Sequence, residues 1–304
     1  MFSLSALLLT SKCSIHPSGA GIQGSPGPTS AYPSTPLVTR QPESVTPEKT
    51  EPWKPFSQLD TDLKTIVNAG YAEICLFDLK SLRDYPDPRY LTLLTQYAIG
   101  GIEFTVFVQD IEPTQETIDL VKRIGITSVI LSQKDSAVVF EQAQLRIAWW
   151  RGVAYPPNHK TRPQYEGWPD LRSEQVRQDI ADWAVQIPSV GDSLVLDYIR
   201  WNGIGNGRNA EQVTDLVRRI RAQWGLAEKG TLSAAVFPYL GTGPNDGGAL
   251  SVGQKWNEWL EDGLLDSVYP MAYISQDIPW LVEQWKPYDK HKLAPCLSVI
   301  DYHG

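Results

Sequence analysis

Three aspartates (Asp78, Asp197, Asp301), two arginines (Arg151, Arg200) and five aromatic residues (Trp150, Tyr155, Trp201, Tyr239, Tyr273) stand at or just beyond the ends of apolar runs. The clearest run is Leu194-Val195-Leu196-Asp197-Tyr198-Ile199-Arg200-Trp201. In an extended strand Val195 and Asp197 share one face, and Leu194 and Leu196 the other. A carboxylate in line with a buried face must be paired, solvated or used. One reading makes Asp197 a structural ion pair with Arg200 or another arginine. The other is acid and base chemistry. Two carboxyl groups about 5–10 Å apart cleave a glycosidic bond, and Trp and Tyr rings stack on the apolar faces of sugars while their polar tips hydrogen-bond. On that reading Asp197 is the nucleophile or electrostatic stabiliser, held ionised by Arg200. Asp301 or Asp78 is the general acid. Arg200, Trp201, Tyr273, Trp150, Arg151, Tyr155 and Tyr239 line the substrate sites.

Other chemistries find less support. There is no Gly-x-Ser-x-Gly elbow and no His-Glu-x-x-His or paired-Cys motif. The four histidines, His16, His159, His291 and His303, are scattered. Neither a metal nor a cofactor is expected. Glu166, Asp170 and Asp246 lie on longer loops and are weaker acid candidates. Asp110 fits a loop role.

These residues need a frame that brings strand ends together. Apolar alternation predicts strands at residues 72–78, 102–108, 126–131, 145–150, 194–199, 232–237, 267–273 and 293–300. Helical periodicity predicts helices at 57–69, 88–99, 113–124, 136–143, 173–187, 209–224, 252–261 and 278–285. Eight strands alternating with helices predict an α/β fold, a parallel (β/α)8 TIM barrel, with an open doubly wound sheet as the alternative. No Gly-rich phosphate loop follows the first strand, which weighs against the open sheet. No helix follows the eighth strand, and the helix at 57–69 is placed to fill that position. In such a barrel the chemistry gathers at the carboxyl ends of the strands. Most of the eleven tryptophans, Trp183, Trp224 and Trp259 among them, read as helix packing.

Net charge is −8, with no basic run, so no nucleic-acid partner is expected. Of the three cysteines, Cys75 and Cys296 lie in apolar runs and read as reduced core residues. Residues 1–13 form a short apolar, signal-like segment ending at Cys13, as in a secretory or lipoprotein signal, although Lys12 fits lipid attachment poorly. Residues 14–55 are rich in Pro, Ser and Thr and read as a flexible tether. The barrel is expected over 56–304. The predicted protein is an extracytoplasmic monomer (secreted, periplasmic or lipid-anchored) with a membrane tether at its N-terminus.

Leu196-Asp197-Tyr198-Ile199-Arg200-Trp201 resembles the Leu-Asp-Tyr-Ile-Arg-Tyr segment of glycoside-hydrolase-like (β/α)8 barrels, the group-ten-type glycosyl hydrolases. Pro169-Asp170 with the following Glu174-Gln175-Val176-Arg177 is similar to the segment that opens the preceding helix in that family, and the strand Leu232–Pro238 and Asp266-Ser267-Val268-Tyr269-Pro270-Met271-Ala272-Tyr273 are similar to its downstream segments. The resemblance covers roughly residues 149–273. It implies a polysaccharide-directed barrel with Asp197, Arg200 and Tyr273 in its site, and leaves the second carboxylate unidentified. Family 18 chitinases share the Met-x-Tyr strand, but their acidic motif ends on a Glu where this chain has Arg200 and Trp201. A glycoside hydrolase is the leading expectation. A non-catalytic glycan-binding barrel is the alternative, and an interaction module at the envelope a third.

Overall fold

The computed structural model describes residues 54–77, 79–84, 86–108, 114–132, 137–154, 169–187, 193–201, 209–225, 230–241 and 248–299. Its strands are β1 (Glu73–Phe77), β2 (Glu103–Val108), β3 (Ile126–Leu131), β4 (Arg146–Gly152), β5 (Ser193–Asp197), β6 (Leu232–Val236), β7 (Ser267–Pro270) and β8 (Cys296–Ser298). All neighbours pair in parallel, in the order β7-β6-β5-β4-β3-β2-β1-β8. Two parallel bridges, Val268 to Leu293 and Met271 to Cys296, join β7 to the β8 segment and close the ring. Closure excludes the open sheet and gives the (β/α)8 barrel.

Nine helices cover the described barrel: α1 (Phe56–Asn68), α2 (Leu79–Asp84), α3 (Pro88–Ile99), α4 (Gln115–Arg123), α5 (Ala137–Gln142), α6 (Glu174–Ala184), α7 (Ala210–Gly225), α8 (Trp256–Glu261) and α9 (Ile278–Trp285). Helix starts follow their capping residues. Asp87, Thr114 and Ser173 each accept an amide hydrogen bond at the head of α3, α4 and α6. Helix α2 was not legible in the sequence, and β8 is shorter than the apolar run around it. The expected helix at 252–261 opens as a 3-10 turn at Ala249–Val252, and its α-helical part begins at Trp256. Among the described residues no helix is long and apolar enough to cross a membrane.

Helix α1 packs between α9 and α3, where a helix after β8 would sit. Its anchor is buried. Lys54 is 3% exposed and pairs with Asp62 at 2.9 Å. Asp62 also accepts from Gln58 at 2.9 Å and from the Ser275 hydroxyl at 2.5 Å. The Lys54 amide donates to the Val299 carbonyl at 3.1 Å. Lys54 and Pro55, expected at the end of the tether, therefore belong to the barrel.

Strand alternation divides the core into two shells. Cys75, Phe107, Ile130, Ala148, Val195 and Tyr269 fill the barrel interior. Leu194 and Leu196 face outward into the helix layer with Trp149, Trp224, Trp256, Trp259 and Trp285. Trp224 and Trp259 are thus packing residues, as expected, and Trp183 packs partly buried against the same shell. At the amino end of the barrel, polar side chains satisfy one another. Thr105 donates to Glu73 at 2.7 Å and lies 2.9 Å from the Ser128 hydroxyl, while Ser233 and Ser267 meet at 2.7 Å.

Candidate active site

The carboxyl end of the barrel is built differently. Strand β5 carries Asp197 on its inner face, directly after the interior residue Val195. The Val153 amide holds the Asp197 carbonyl at 2.8 Å, and the Ala154 amide holds the Tyr198 carbonyl at 3.2 Å, so the turn that follows β4 fixes the backbone here. Tyr198 then turns into the left-handed region with φ of 51°. A non-glycine residue there carries strain that the surroundings must impose, a feature concentrated at functional sites. The turn aims the Tyr198 amide back at Asp197 Oδ1, 2.6 Å away. Trp150 Nε1 donates to Asp197 Oδ2 at 2.9 Å.

Arg200 lies over two rings, with its guanidinium carbon 4.7 Å from the Tyr198 centroid and 5.3 Å from that of Phe237. The hydrogen bonds Asp197 accepts come from Trp150 and Tyr198, not from an arginine. Burial raises the Asp197 carboxyl above its ordinary value; the Trp150 and Tyr198 hydrogen bonds and the Arg200 charge pull it down without cancelling that rise. The Arg200 charge favours the ionised carboxylate, and desolvation opposes it. That charge is the smallest of the three favourable influences, and desolvation is larger. Asp197 is half-buried, with both carboxylate oxygens bonded to the chain.

Trp150, Tyr273 and Phe77 pack on the upper edge of the interior core, with Phe77 and Tyr273 centroids 5.3 Å apart. Asp197, Trp150, Tyr273 and Arg200 are thus brought to the same end of the barrel. Other expected residues go elsewhere. Arg151 alternates to the outer face of β4, where it lies over Trp183 at 5.5 Å and donates to the Gln186 carbonyl at 2.8 Å. Trp201 packs against the outer shell, its amide bonded to the Val252 carbonyl at 2.7 Å. Tyr239 sits further out on the loop after β6, donating its hydroxyl to Asp277. Asp170 forms a surface pair with Arg172 at 2.8 Å. Asp78, Asp301 and Tyr155 lie outside the described residues, as do Asp110, Glu166 and Asp246.

Two features escaped the sequence reading. Gln254, 2% exposed, clamps the strand ends beside the site. Its Oε1 accepts from the Phe237 amide at 2.8 Å, and its Nε2 donates to the Ile199 carbonyl at 3.3 Å. Trp256 and Trp285 add hydrogen bonds to the Phe237 and Pro238 carbonyls at 3.1 and 3.0 Å. The second feature is Trp280 at the head of α9, 48% exposed and tilted over Tyr239 with centroids 5.6 Å apart. No pattern marks Gln254, because its partners are backbone groups far away in sequence. Trp280 was legible only as one more aromatic in an amphipathic helix.

No protein-family model matches this chain, and no curated protein does. Among solved structures it is similar to dihydropteroate synthase from Thermus thermophilus, at 13% identity over 77% of this chain and 89% of that one, with a TM-score of 0.44. The enzyme of the same description from Vibrio fischeri is 17% identical over 60% of this chain and 70% of that one, with a TM-score of 0.35. A family 36 α-galactosidase from Geobacillus stearothermophilus is 11% identical over 78% of this chain and 36% of that one, with a TM-score of 0.32. At these identities and TM-scores the likenesses carry no statement about reaction or substrate.

Proposed function

We propose that this chain is a glycoside hydrolase acting on an extracytoplasmic polysaccharide, with Asp197 as its proton donor. One observation carries the reading. A single carboxyl at the carboxyl end of a barrel strand is kept partly desolvated, orientated by two N–H donors and flanked by aromatic rings. Carboxyl groups whose environment raises their affinity for a proton serve as general acids. This changes the role expected of Asp197 from nucleophile to acid.

In the proposed reaction, the protonated Asp197 gives its proton to the glycosidic oxygen as the C–O bond breaks, and the leaving sugar departs as an alcohol. A second carboxylate either attacks the anomeric carbon or takes a proton from the attacking water, and Asp301 and Asp78 are its candidates. Water supplies hydroxyl to the anomeric carbon and a proton that restores Asp197. Each Asp197 oxygen accepts one N–H bond and retains a second lone-pair position for the transferred proton. Trp150 and Tyr273 would meet the sugar at the cleavage point. The exposed Trp280 and the half-buried Tyr239 beneath it would form an outer subsite with Asp277 at its polar edge. Attachment at the envelope and a monomeric state are parts of the same proposal.

One observation favours a glycan-binding barrel without catalysis. Both Asp197 oxygens are already engaged by the chain, as in a carboxylate that only shapes a cleft. A glycan screen of the purified chain separates the two readings. Wild type and D197N are compared for binding and for release of new reducing ends. The hydrolase reading predicts release that falls by about 10²–10⁴-fold in D197N with binding retained. Binding without release in either protein selects the binding barrel, and neither binding nor release refutes both.

A further inference from the structure

Cys75 and Cys296 are 221 positions apart in sequence, and their sulfur atoms are 3.1 Å apart. They are directly paired residues of β1 and β8. Both are fully buried free thiols pointing into the barrel interior. Cys296 also makes one of the two bridges that join the β8 segment to β7. Every other pair of neighbouring strands is joined by a ladder of three or more residue pairs, with one register shift between β2 and β3. Cys296 therefore borders the weakest seam, β7 to β8, and the thiol pair spans the adjoining β1–β8 ladder. Neighbouring strands lie about 4.8 Å apart, inside the Cα separation of roughly 4.4–6.8 Å that a disulfide spans. Bond formation needs the sulfurs to close by about 1 Å, which side-chain rotation can supply.

The geometry points to Cys75 and Cys296 as a redox-set staple, a disulfide site that locks β8 onto β1 beside the seam where the barrel closes. The co-reactant is a small or protein disulfide, consumed by thiol–disulfide exchange. One cysteine thiolate attacks the oxidant and displaces a thiolate, giving a mixed disulfide. The second cysteine attacks that bond and displaces the other half. Two S–H bonds are lost and one S–S bond forms, while the oxidant is reduced to two thiols that take up the two protons. In the closed barrel exchange is slow, because neither sulfur is accessible and burial pushes the Cys75 thiol well up from its ordinary value. Exchange proceeds when the seam opens, so a folded molecule keeps the state it held at its last opening.

The test uses the full chain and its C13S variant, whose only thiols are Cys75 and Cys296. Each is held with glutathione disulfide just below its Tm, alkylated in denaturant, digested and analysed by mass spectrometry. The expected product is a Cys75 peptide linked to the Cys296 peptide within one chain, in both proteins and absent after dithiothreitol. Its formation at room temperature is at least roughly tenfold slower, and Tm rises by the order of 10 °C, since the staple closes a very long loop. Recovery of both cysteines as alkylated thiols, as separate glutathione adducts, or in a link between two chains would overturn the proposal.

Discussion

Asp197 accepts hydrogen bonds from Trp150 and the Tyr198 amide and feels the Arg200 charge, and each favours its ionised form. Burial outweighs them, so the carboxyl binds its proton more tightly folded than unfolded. The stability this gives is fully present below the unfolded value, about 4, and is lost as pH rises through the higher folded value. An asparagine at 197 has no such titration, whatever constant offset it adds. The Tm of wild type minus that of D197N should therefore fall as pH is raised from about 3.5 to 7. Thermal unfolding across that range measures it, and a difference that stays flat or grows would contradict a raised carboxyl. That Asp197 ends an inward-facing strand position was legible, since strand period alone puts it beside Val195. The direction of its proton affinity was not. It depends on Trp150, 47 positions away, and on enclosure that no local spacing encodes. The left-handed turn at Tyr198 was equally hidden, because tyrosine has no preference for it.

Among the elements, the order of the strands, and of every helix but α2, followed from periodicity. Caps such as Asp87 and Ser173, and the stop at Gly125, also mark their boundaries in the sequence. Gly125 has φ of 74°, and a Cβ there would lie 2.3 Å from the Ala98 Cβ, so only glycine lets α4 end against α3. The ends of β5 and β6 are instead joined by one side chain, Gln254, and nothing in the segment around it announces that duty. Gln254→Leu removes the partner of the Phe237 amide and of the Ile199 carbonyl together. We expect a loss of about 2–3 kcal/mol in urea denaturation, the cost of stranding buried polar groups rather than of one exposed hydrogen bond. A loss below about 0.5 kcal/mol would mean that the strand ends are held by packing alone.

At the scale of the molecule, the helix preceding β1 completes the ring beside β8, tied there by Lys54, Asp62 and Ser275. The placement of that helix could be inferred by counting elements. The buried ion pair could not, because Lys54 stands in a Pro-rich stretch that otherwise lacks core residues. The closed ring then sets one end of satisfied hydroxyls against another of aromatic rings and a raised carboxyl. That asymmetry is the physical basis of the proposed activity, and proton donation by Asp197 is its central claim. The most direct test compares wild type and D197N on a natural oligosaccharide and on a dinitrophenyl glycoside of the same sugar, whose leaving group departs without a proton. If Asp197 is the acid, D197N loses about 10²–10⁴-fold on the oligosaccharide and far less on the activated glycoside. Equal losses on both substrates would contradict the assignment and return Asp197 to the role of nucleophile or structural carboxylate.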